Sequence, residues 1–300
     1  MKNTLLLLML CIVTFFWTSS VKVCQSNSAS CLPKDFAALK AFFRYNPQKN
    51  TPLIMAHRGG PAEGFPENCL ATFRYTLQHV PCPLIEFDVR MSRDSVLLLA
   101  HDDELERMSN GTGFVSKSLW KDLKALYLKN EEDQVSAYHP PLFKQALDFL
   151  RKKPCILIID NKPGTAIDLV LQKITQAKVE NQAVLICYSL KDAEYVYLKK
   201  PNLMLALGFK QEAQIAAIEK SVIPKDQLVA LTPRDIQPEN YYERIHALGV
   251  SCSLGTNGNI DTLPLADSKA LYWQRFRAGA DIICTDRPVD VARIFGTNNQ

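Results

Sequence analysis

Two histidines, one arginine and two carboxylates lie close together in this 300-residue chain, each at or just after an apolar run typical of a β-strand. They occur in the segments His57-Arg58, Glu86-Phe87-Asp88 and His101-Asp102. Two imidazoles can divide the work of a general acid and a general base, and a guanidinium can bind two phosphate oxygens at once. With a divalent cation, these groups can hydrolyse a phosphate ester. The sequence therefore predicts an enzyme rather than a binding module.

Two of the carboxylates are spaced to share one face of a strand. Glu86 and Asp88 are two residues apart, so their side chains point the same way. Carboxylates on one buried face repel each other unless a cation binds them. Asp160, after the next core strand, can supply a third. Such an oxygen-rich site favours Mg²⁺ or Ca²⁺, with zinc or manganese as alternatives. Neutralisation of the pair by Arg58 or Arg90 is the other interpretation.

The elements that position these residues follow a regular pattern. Eight apolar runs rich in Val, Ile or Leu are typical of strands buried on both faces of a parallel sheet. They cover residues 53–56, 84–89, 155–159, 183–187, 203–207, 228–231, 250–254 and 281–284. Segments with helical periodicity alternate with the strands, at 67–79, 142–150, 166–177, 190–199, 212–220, 238–248 and 268–278.

This alternation predicts an α/β fold, a (β/α)8 TIM-type barrel with a small insertion between the second and third strands. The insertion covers about 90–154 and includes an extra apolar run at 96–100. An open doubly wound sheet is the alternative, but no GxGxxG motif follows a strand. Active sites of such barrels form at the carboxyl ends of the strands. Further polar residues at these ends are Lys162, Thr232, Arg234, Asp286 and Arg287.

Residues 1–25 are predicted to be a targeting segment. A lysine at position 2 precedes an apolar stretch over 4–17, and small residues follow it. A cleaved signal peptide is the first interpretation, and a retained membrane anchor, a buried helix or lipidation at Cys24 are alternatives. We expect an exported protein, periplasmic or secreted and possibly membrane-anchored, which would contact a membrane only through this segment. Residues 26–51 form a helical extension, and residues 52–296 form the barrel domain.

The charge balance indicates which partners to expect, and the cysteine positions indicate which disulfides can form. The net charge is only +4, from 35 basic and 31 acidic residues, and no long basic run occurs, so we expect no nucleic-acid partner. Most of the nine cysteines lie in the leader or near predicted strands, where a thiol is usually a small buried apolar group. Two pairs, Cys24–Cys31 and Cys69–Cys82, are spaced so that a disulfide can form in an oxidising compartment.

Several candidate residues belong to longer motifs. These are His57-Arg58-Gly59, Pro66-Glu67-Asn68, Glu86-Phe87-Asp88-Val89, His101-Asp102, Arg107, Gly111-Thr112-Gly113, Asp160-Asn161-Lys162 and the segment 279–288. In this order, the motifs resemble those of the glycerophosphodiester phosphodiesterase family, within the phospholipase C-like phosphodiesterase barrel superfamily. The similarity extends over about 52–295 and is specific as an ordered set, whereas any single motif would be weak.

The resemblance implies a phosphoric diester hydrolase that uses one divalent cation, Mg²⁺ or Ca²⁺. Its small-molecule substrate would be a glycerophosphodiester, cleaved to glycerol 3-phosphate and an alcohol. The resemblance also assigns roles to seven residues. His57 and His101 would be the acid–base pair, and Glu86, Asp88 and Asp160 would bind the metal. Arg58 and Lys162 would bind the phosphate.

The chain departs from the family pattern at two functional positions. Asp160 stands where the family usually has Glu, so this ligand is one methylene shorter, which bears on metal preference. The loop 254–259 replaces a Thr-Trp segment often seen after the seventh strand, which leaves the alcohol specificity open.

Two other functions remain as alternatives. The first is a phospholipase C- or D-like enzyme acting on a larger lipid, which would need an apolar rim; Phe65, Tyr188 and Phe209 are the candidates. The second is an inactive barrel that binds a ligand. The complete set of histidines, carboxylates, arginine and lysine argues against this, because an inactive copy is expected to lose some of them.

Overall fold

The structure, a computed structural model, describes residues 31–296. The predicted leader at 1–25 and the cysteine at position 24 lie outside the described residues. Within the described part, no helix is long and apolar enough to cross a membrane.

Eight parallel strands close into a barrel in this part of the chain. The strands are β1 (Leu53–Ala56), β2 (Leu84–Met91), β4 (Ile156–Asn161), β5 (Ala183–Cys187), β6 (Met204–Gly208), β7 (Leu228–Leu231), β8 (Ser251–Gly255) and β9 (Ile282–Thr285). Their order is β1-β9-β8-β7-β6-β5-β4-β2, and the pairing of β1 with β2 closes the ring. The predicted TIM-type barrel is confirmed, with all eight strands within one or two residues of their predicted ends.

Helices cover the outside of the barrel and one of its ends. They are α1 (Phe36–Phe43), α2 (Leu70–His79), α3 (Trp120–Leu123), α4 (Phe143–Leu150), α5 (Ile167–Ala177), α6 (Leu190–Lys199), α7 (Glu212–Lys220), α8 (Glu239–Ala247), α9 (Leu265–Ala278) and α10 (Pro288–Gly296). The sequence did not predict α10, which follows the last strand and packs its apolar face on β1 and α9. Each of the eight barrel strands is therefore followed by a helix.

Strand β2 shows why the acidic pair faces inward. Leu84 belongs to the cluster that fills the barrel, whereas Ile85, Phe87 and Val89 pack in the layer between strands and helices. Because successive side chains alternate between faces, the residues two and four positions after Leu84 must point inward. The period of two thus places Glu86 and Asp88 above the filled part of the barrel, at its carboxyl end.

The insertion between β2 and α4 carries its own small core. Strand β3 (Leu97–Leu99) pairs antiparallel with β2. Apolar side chains of the insertion form a separate buried cluster, which includes Leu105, Met108, Val115 and Leu123. This packing fixes the segment on the barrel, so His101 is held against the end of β2.

The predicted N-terminal extension closes the other end of the barrel. Leu39 and Phe43 of α1 are fully buried in the same cluster as the inward residues of the strands. The Ser251 hydroxyl donates to the Phe43 carbonyl oxygen at 2.6 Å, which fixes the end of the helix to β8. The helix therefore completes the core at the amino ends of the strands, away from the catalytic face.

A disulfide joins this extension to the loop between α2 and β2. Its cysteines are Cys31 and Cys82, with Cα atoms 5.4 Å apart. The sequence offered the pairs Cys24–Cys31 and Cys69–Cys82, and both are wrong. Cys69 is a free, buried thiol at the position just before α2. Cys82 lies in the loop after α2, where it meets Cys31 of the N-terminal extension.

Loss of this disulfide should destabilise the fold. The bond spans 51 residues, and closing a loop of this size restricts the unfolded chain by about 4 kcal/mol. We expect the Cys31→Ala, Cys82→Ala double variant to unfold at a lower urea concentration than the wild type. Dithiothreitol should lower the wild-type midpoint to that of the double variant. Cys69→Ala is the control, and without dithiothreitol its midpoint should stay above that of the double variant. An unchanged wild-type midpoint in dithiothreitol would contradict the bond.

Candidate active site

Both predicted catalytic histidines are held by a carboxylate. His57 Nδ1 lies 2.6 Å from Asp286 Oδ1, and His101 Nδ1 lies 2.6 Å from Asp102 Oδ1. A carboxylate only accepts hydrogen bonds, so each Nδ1 carries the hydrogen and each Nε2 is left basic in the neutral ring. Both rings are therefore fixed in orientation with the Nε2 atom free for proton transfer.

The two histidines differ in their surroundings. Burial lowers the pKa of His101, and the cations Arg58 and Lys162 lower it too, whereas the charge of Asp88 opposes them. A lowered pKa keeps the imidazole neutral at neutral pH. His101 is thus poised to accept a proton.

The three predicted metal ligands form one buried cluster. Carboxylate oxygens of Glu86, Asp88 and Asp160 all lie within 4.8 Å of one another, and each residue is at most 8% exposed. Burial raises the pKa of Glu86 well above its ordinary value, and the other two carboxylates raise it further. The cluster is therefore unfavourable for three negative charges unless cations stand beside it.

Lys162 is the ammonium group within this cluster. Its Nζ lies 2.7 Å from both Asp88 and Asp160. Burial opposes the charge on Lys162, but the two aspartates outweigh it and raise its pKa. The Tyr188 hydroxyl donates to Asp160 Oδ2 at 3.0 Å, while Asp160 Oδ1 is buried and accepts no hydrogen bond. If all three carboxylates are ionised, one ammonium leaves two negative charges uncompensated.

Neither arginine suggested as a neutralising partner fills that role. The Arg58 backbone N–H donates to Glu86 Oε2 at 2.6 Å, but its guanidinium pairs with Glu67 at 2.7 Å. Arg90 donates from Nε to the His101 carbonyl oxygen at 2.8 Å. The cluster thus retains its two excess charges.

Glu67 links Arg58 to Arg107, which contacts the carboxylate partner of His101. It accepts hydrogen bonds from the Arg58 guanidinium and, through both oxygens, from Arg107 at 2.8 and 2.9 Å. Arg107 in turn donates to Asp102, the partner of His101. Burial raises the pKa of Glu67, but the two arginines outweigh this and lower it. Because α2 begins only at Leu70, these contacts place Glu67 in the site rather than at a helix cap.

Asn68 positions one of the predicted metal ligands. Its side-chain Nδ2 donates to Asp88 Oδ2 at 2.7 Å, and its side-chain Oδ1 accepts from the Asp88 backbone N–H at 2.9 Å. Asn68 adopts a left-handed conformation (φ 55°), which asparagine tolerates better than most residues. The sequence placed Asn68 in a family motif without a role.

The glycine pair after the first strand serves packing. A Cβ at Gly59 (φ +88°) would lie 2.4 Å from the Phe73 ring, and one at Gly60 (φ +80°) would lie 2.4 Å from Pro288. Side chains of the protein lie against both positions.

A cavity of about 580 Å³ opens beside the cluster at the carboxyl ends of the strands. His57, Glu86 and Asp160 line one side of it. The opposite side is lined by residues from the ends of β6, β7 and β8, among them Lys210, Arg234 and Asn257. The sequence noted Arg234 as a strand-end residue and missed Lys210, whose exposed position gives no periodic signal.

The candidates for an apolar rim do not form one. Phe209 is fully buried, and Phe65 stacks on Tyr75 and Tyr138. Tyr188 is 55% exposed, but its hydroxyl binds Asp160. The described part of this cavity contains no lining phenylalanine, tyrosine or tryptophan.

A second group of possible metal ligands lies at the amino ends of the strands. It consists of His246, Cys252 and Asp281. Asp281 Oδ2 pairs with His246 Nε2 at 2.8 Å and accepts from the Cys252 backbone N–H at 2.7 Å. These contacts engage the carboxylate, so the group is a hydrogen-bonded cluster that fixes α8 to the barrel.

Together, the barrel and its catalytic face define a hydrolase for phosphate esters. The sequence profile of the glycerophosphoryl diester phosphodiesterase family matches residues 57–289. A glycerophosphoryl diester phosphodiesterase from Parabacteroides distasonis, known from a crystal structure, is 33% identical and superposes with a TM-score of 0.82 over 88% of this chain and 92% of that one. The chain belongs to this family, and it is a phosphodiesterase.

Two further relatives show how widely the similarity extends. A glycerophosphodiester phosphodiesterase from Caldanaerobacter subterraneus is 26% identical over 247 residues, which are 79% of this chain and 94% of that protein. A phosphodiesterase from Oleispira antarctica, solved in complex with the product sn-glycerol-3-phosphate, shares the fold with a TM-score of 0.65 and 18% identity over 86% of this chain and 99% of that one.

Proposed function

We propose that this enzyme hydrolyses glycerophosphodiesters to glycerol 3-phosphate and an alcohol, with His57 and His101 as the acid–base pair and a divalent cation on Glu86, Asp88 and Asp160. The observation that carries the proposal is the pairing of both histidines with carboxylates beside the acidic cluster. The product bound to the Oleispira antarctica relative, and the names of the other relatives, support the substrate class.

The reaction needs one proton removed and one supplied. The oxygen of a water molecule forms a bond to phosphorus and loses a proton to one histidine Nε2. The bond from phosphorus to the alcohol oxygen breaks, and this oxygen takes a proton from the other histidine. Asp286 and Asp102 hold the two rings and stabilise whichever one is protonated.

The cluster residues fit a divalent cation. Three carboxylates and one ammonium leave an excess charge of two, which a divalent ion would cancel, and Asp160 Oδ1 is buried without a hydrogen bond. Oxygen ligands favour Mg²⁺ or Ca²⁺. A bound cation would supply Lewis acidity at the phosphoryl oxygen.

Arg58 and Lys162 would bind the phosphate. Arg58 Nε is buried and has no hydrogen-bond partner, so it retains a donor for a phosphate oxygen. An ammonium has three donors, and Lys162 directs its group at two aspartates, which leaves the third for substrate.

We further propose that the protein is exported and that residues 52–296 are its catalytic domain. The apolar leader of the sequence supports export. The Cys31–Cys82 bond agrees with it, because disulfides persist in oxidising compartments.

Release of glycerol 3-phosphate tests the activity. We expect the enzyme with Mg²⁺ or Ca²⁺ to release one glycerol 3-phosphate per alcohol from a panel of glycerophosphodiesters that includes the neutral glycerophosphoglycerol. Vesicles of phosphatidylglycerol test for an enzyme that acts on a larger lipid, for which the candidate aromatic residues form no rim. Turnover of the vesicles alone, or binding of the diesters without turnover of any, would contradict the proposal.

A further inference from the structure

The half of the cavity that faces the carboxylate cluster is cationic. Lys210 follows β6, Arg234 follows β7 and Asn257 follows β8, and these strands lie across the barrel from β2. The lining of this half is otherwise neutral, from Ile186, Leu231, Thr232, Pro233, Ser253 and Gly255. The acidic groups that line the cavity are the metal ligands Glu86 and Asp160.

These two cations differ from Arg58, Arg107 and Lys162 because they have no anionic partner. Arg58, Arg107 and Lys162 are each committed to carboxylates. Within residues 31–296, the side chains of Lys210 and Arg234 form no ion pair and no hydrogen bond. An exposed lysine alone is ordinarily a solvated charge. Here two cations from successive strand ends point into the cavity that contains His57.

The charges of the substrate indicate what they would bind. The scissile phosphate is assigned to Arg58 and Lys162, which follow β1 and β4 on the other side. Glycerol is neutral, so it cannot match two further cations. A second negative charge must therefore come from the alcohol. A choline-type ammonium would be repelled by these cations and would lack the aromatic rings that bind such groups.

We propose that Lys210 and Arg234 form a specificity subsite for an alcohol that carries its own anionic group, a carboxylate or a second phosphate. The subsite rests on the proposed hydrolysis of glycerophosphodiesters. Lys210 supplies a mobile point charge, and Arg234 supplies a planar donor pair that suits either anion. Asn257 beside Arg234 adds an amide donor for the same group.

Matched substrates isolate this charge. Glycerophosphoserine differs from glycerophosphoethanolamine by one carboxylate, and glycerophosphoinositol 4-phosphate differs from glycerophosphoinositol by one phosphate. We expect kcat/KM to be about tenfold higher for the more anionic member of at least one pair, the effect of two partly exposed ion pairs. The pair that shows the larger ratio identifies the anion as carboxylate or phosphate. The ratio should fall with added salt.

Substitution of the two cations supplies the second readout. In the Lys210→Gln, Arg234→Gln double variant the ratio should fall to about one. Lys269→Gln, which removes an exposed charge from α9, should keep the wild-type ratio. Ratios near or below one in the wild type, or ratios that survive the double substitution, would overturn the subsite. Absence of turnover for every diester, including glycerophosphoglycerol, would instead refute the proposed hydrolysis.

Discussion

Replacing His101 with alanine should lower kcat for glycerophosphoglycerol by about 10²–10⁴-fold, because the variant loses the group that moves a proton in the transition state. His57→Ala should cause a loss of the same order. KM and the affinity for glycerol 3-phosphate should change little, since phosphate binding is assigned to Arg58 and Lys162. Steady-state kinetics and calorimetric titration of glycerol 3-phosphate measure the two effects separately.

A substrate with an activated leaving group then separates the two roles. p-Nitrophenolate leaves without protonation, so the variant that lacks the general acid should recover most of its rate on glycerophospho-p-nitrophenol. The variant that lacks the base should not recover, so the comparison of His57→Ala with His101→Ala assigns the two roles.

His79→Ala is the control, because this exposed histidine at the end of α2 contacts only Tyr75 among the described residues, through its carbonyl oxygen and its ring. A loss below about tenfold for either site variant would remove that histidine from the acid–base pair.

The sequence predicted the candidate site well where one strand decides the geometry. The period of two in β2 places Glu86 and Asp88 on one face, and the barrel rule brings Asp160 and Lys162 to the same end. Both inferences need only the local conformation and the order of the strands. The structure places all four side chains together.

The sequence did not predict which side chains from distant segments contact each other. Asp286 holds His57 from 229 residues away, and Cys31 pairs with Cys82 rather than with its neighbour in sequence. Spacing predicts which face a residue occupies, but the partner depends on how loops meet across the barrel end. Two oppositely charged groups have many possible partners, and only the packed structure selects one. Glu67 remained ambiguous for this reason, since a carboxylate before a helix can cap it or bind an arginine.

Removal of the metal should stop the reaction and loosen the fold. We expect EDTA to abolish release of glycerol 3-phosphate and Mg²⁺ or Ca²⁺ to restore it. The cation should also raise the melting temperature of the EDTA-treated enzyme, because it binds only the folded cluster; an ion at 100 times its Kd adds about 2.7 kcal/mol. This thermal shift does not depend on activity. Full activity in EDTA would contradict the metal site.

Glu86→Gln tests whether the cluster is built for a cation or is merely a structural ion-pair network. Glutamine has nearly the same shape and can still accept the hydrogen bond of the Arg58 N–H, but it removes one of the two uncompensated charges. In EDTA the variant should therefore be at least as stable as the wild type, because the wild type must either bury a repelling carboxylate or take up a proton on Glu86. With Mg²⁺ the wild type should be the more stable of the two, because the variant binds the ion weakly and gains little stability from it.

Glu243→Gln is the matched control, which removes an exposed carboxylate from α8 and should leave both melting temperatures and the cation-induced shift unchanged. If Glu86 only balanced protein cations, Glu86→Gln would be less stable in EDTA as well as in Mg²⁺. The sign of the stability difference without metal thus distinguishes the two interpretations. A higher stability of Glu86→Gln in EDTA, reversed by Mg²⁺, would mean that the mutual repulsion of these carboxylates serves a cation site.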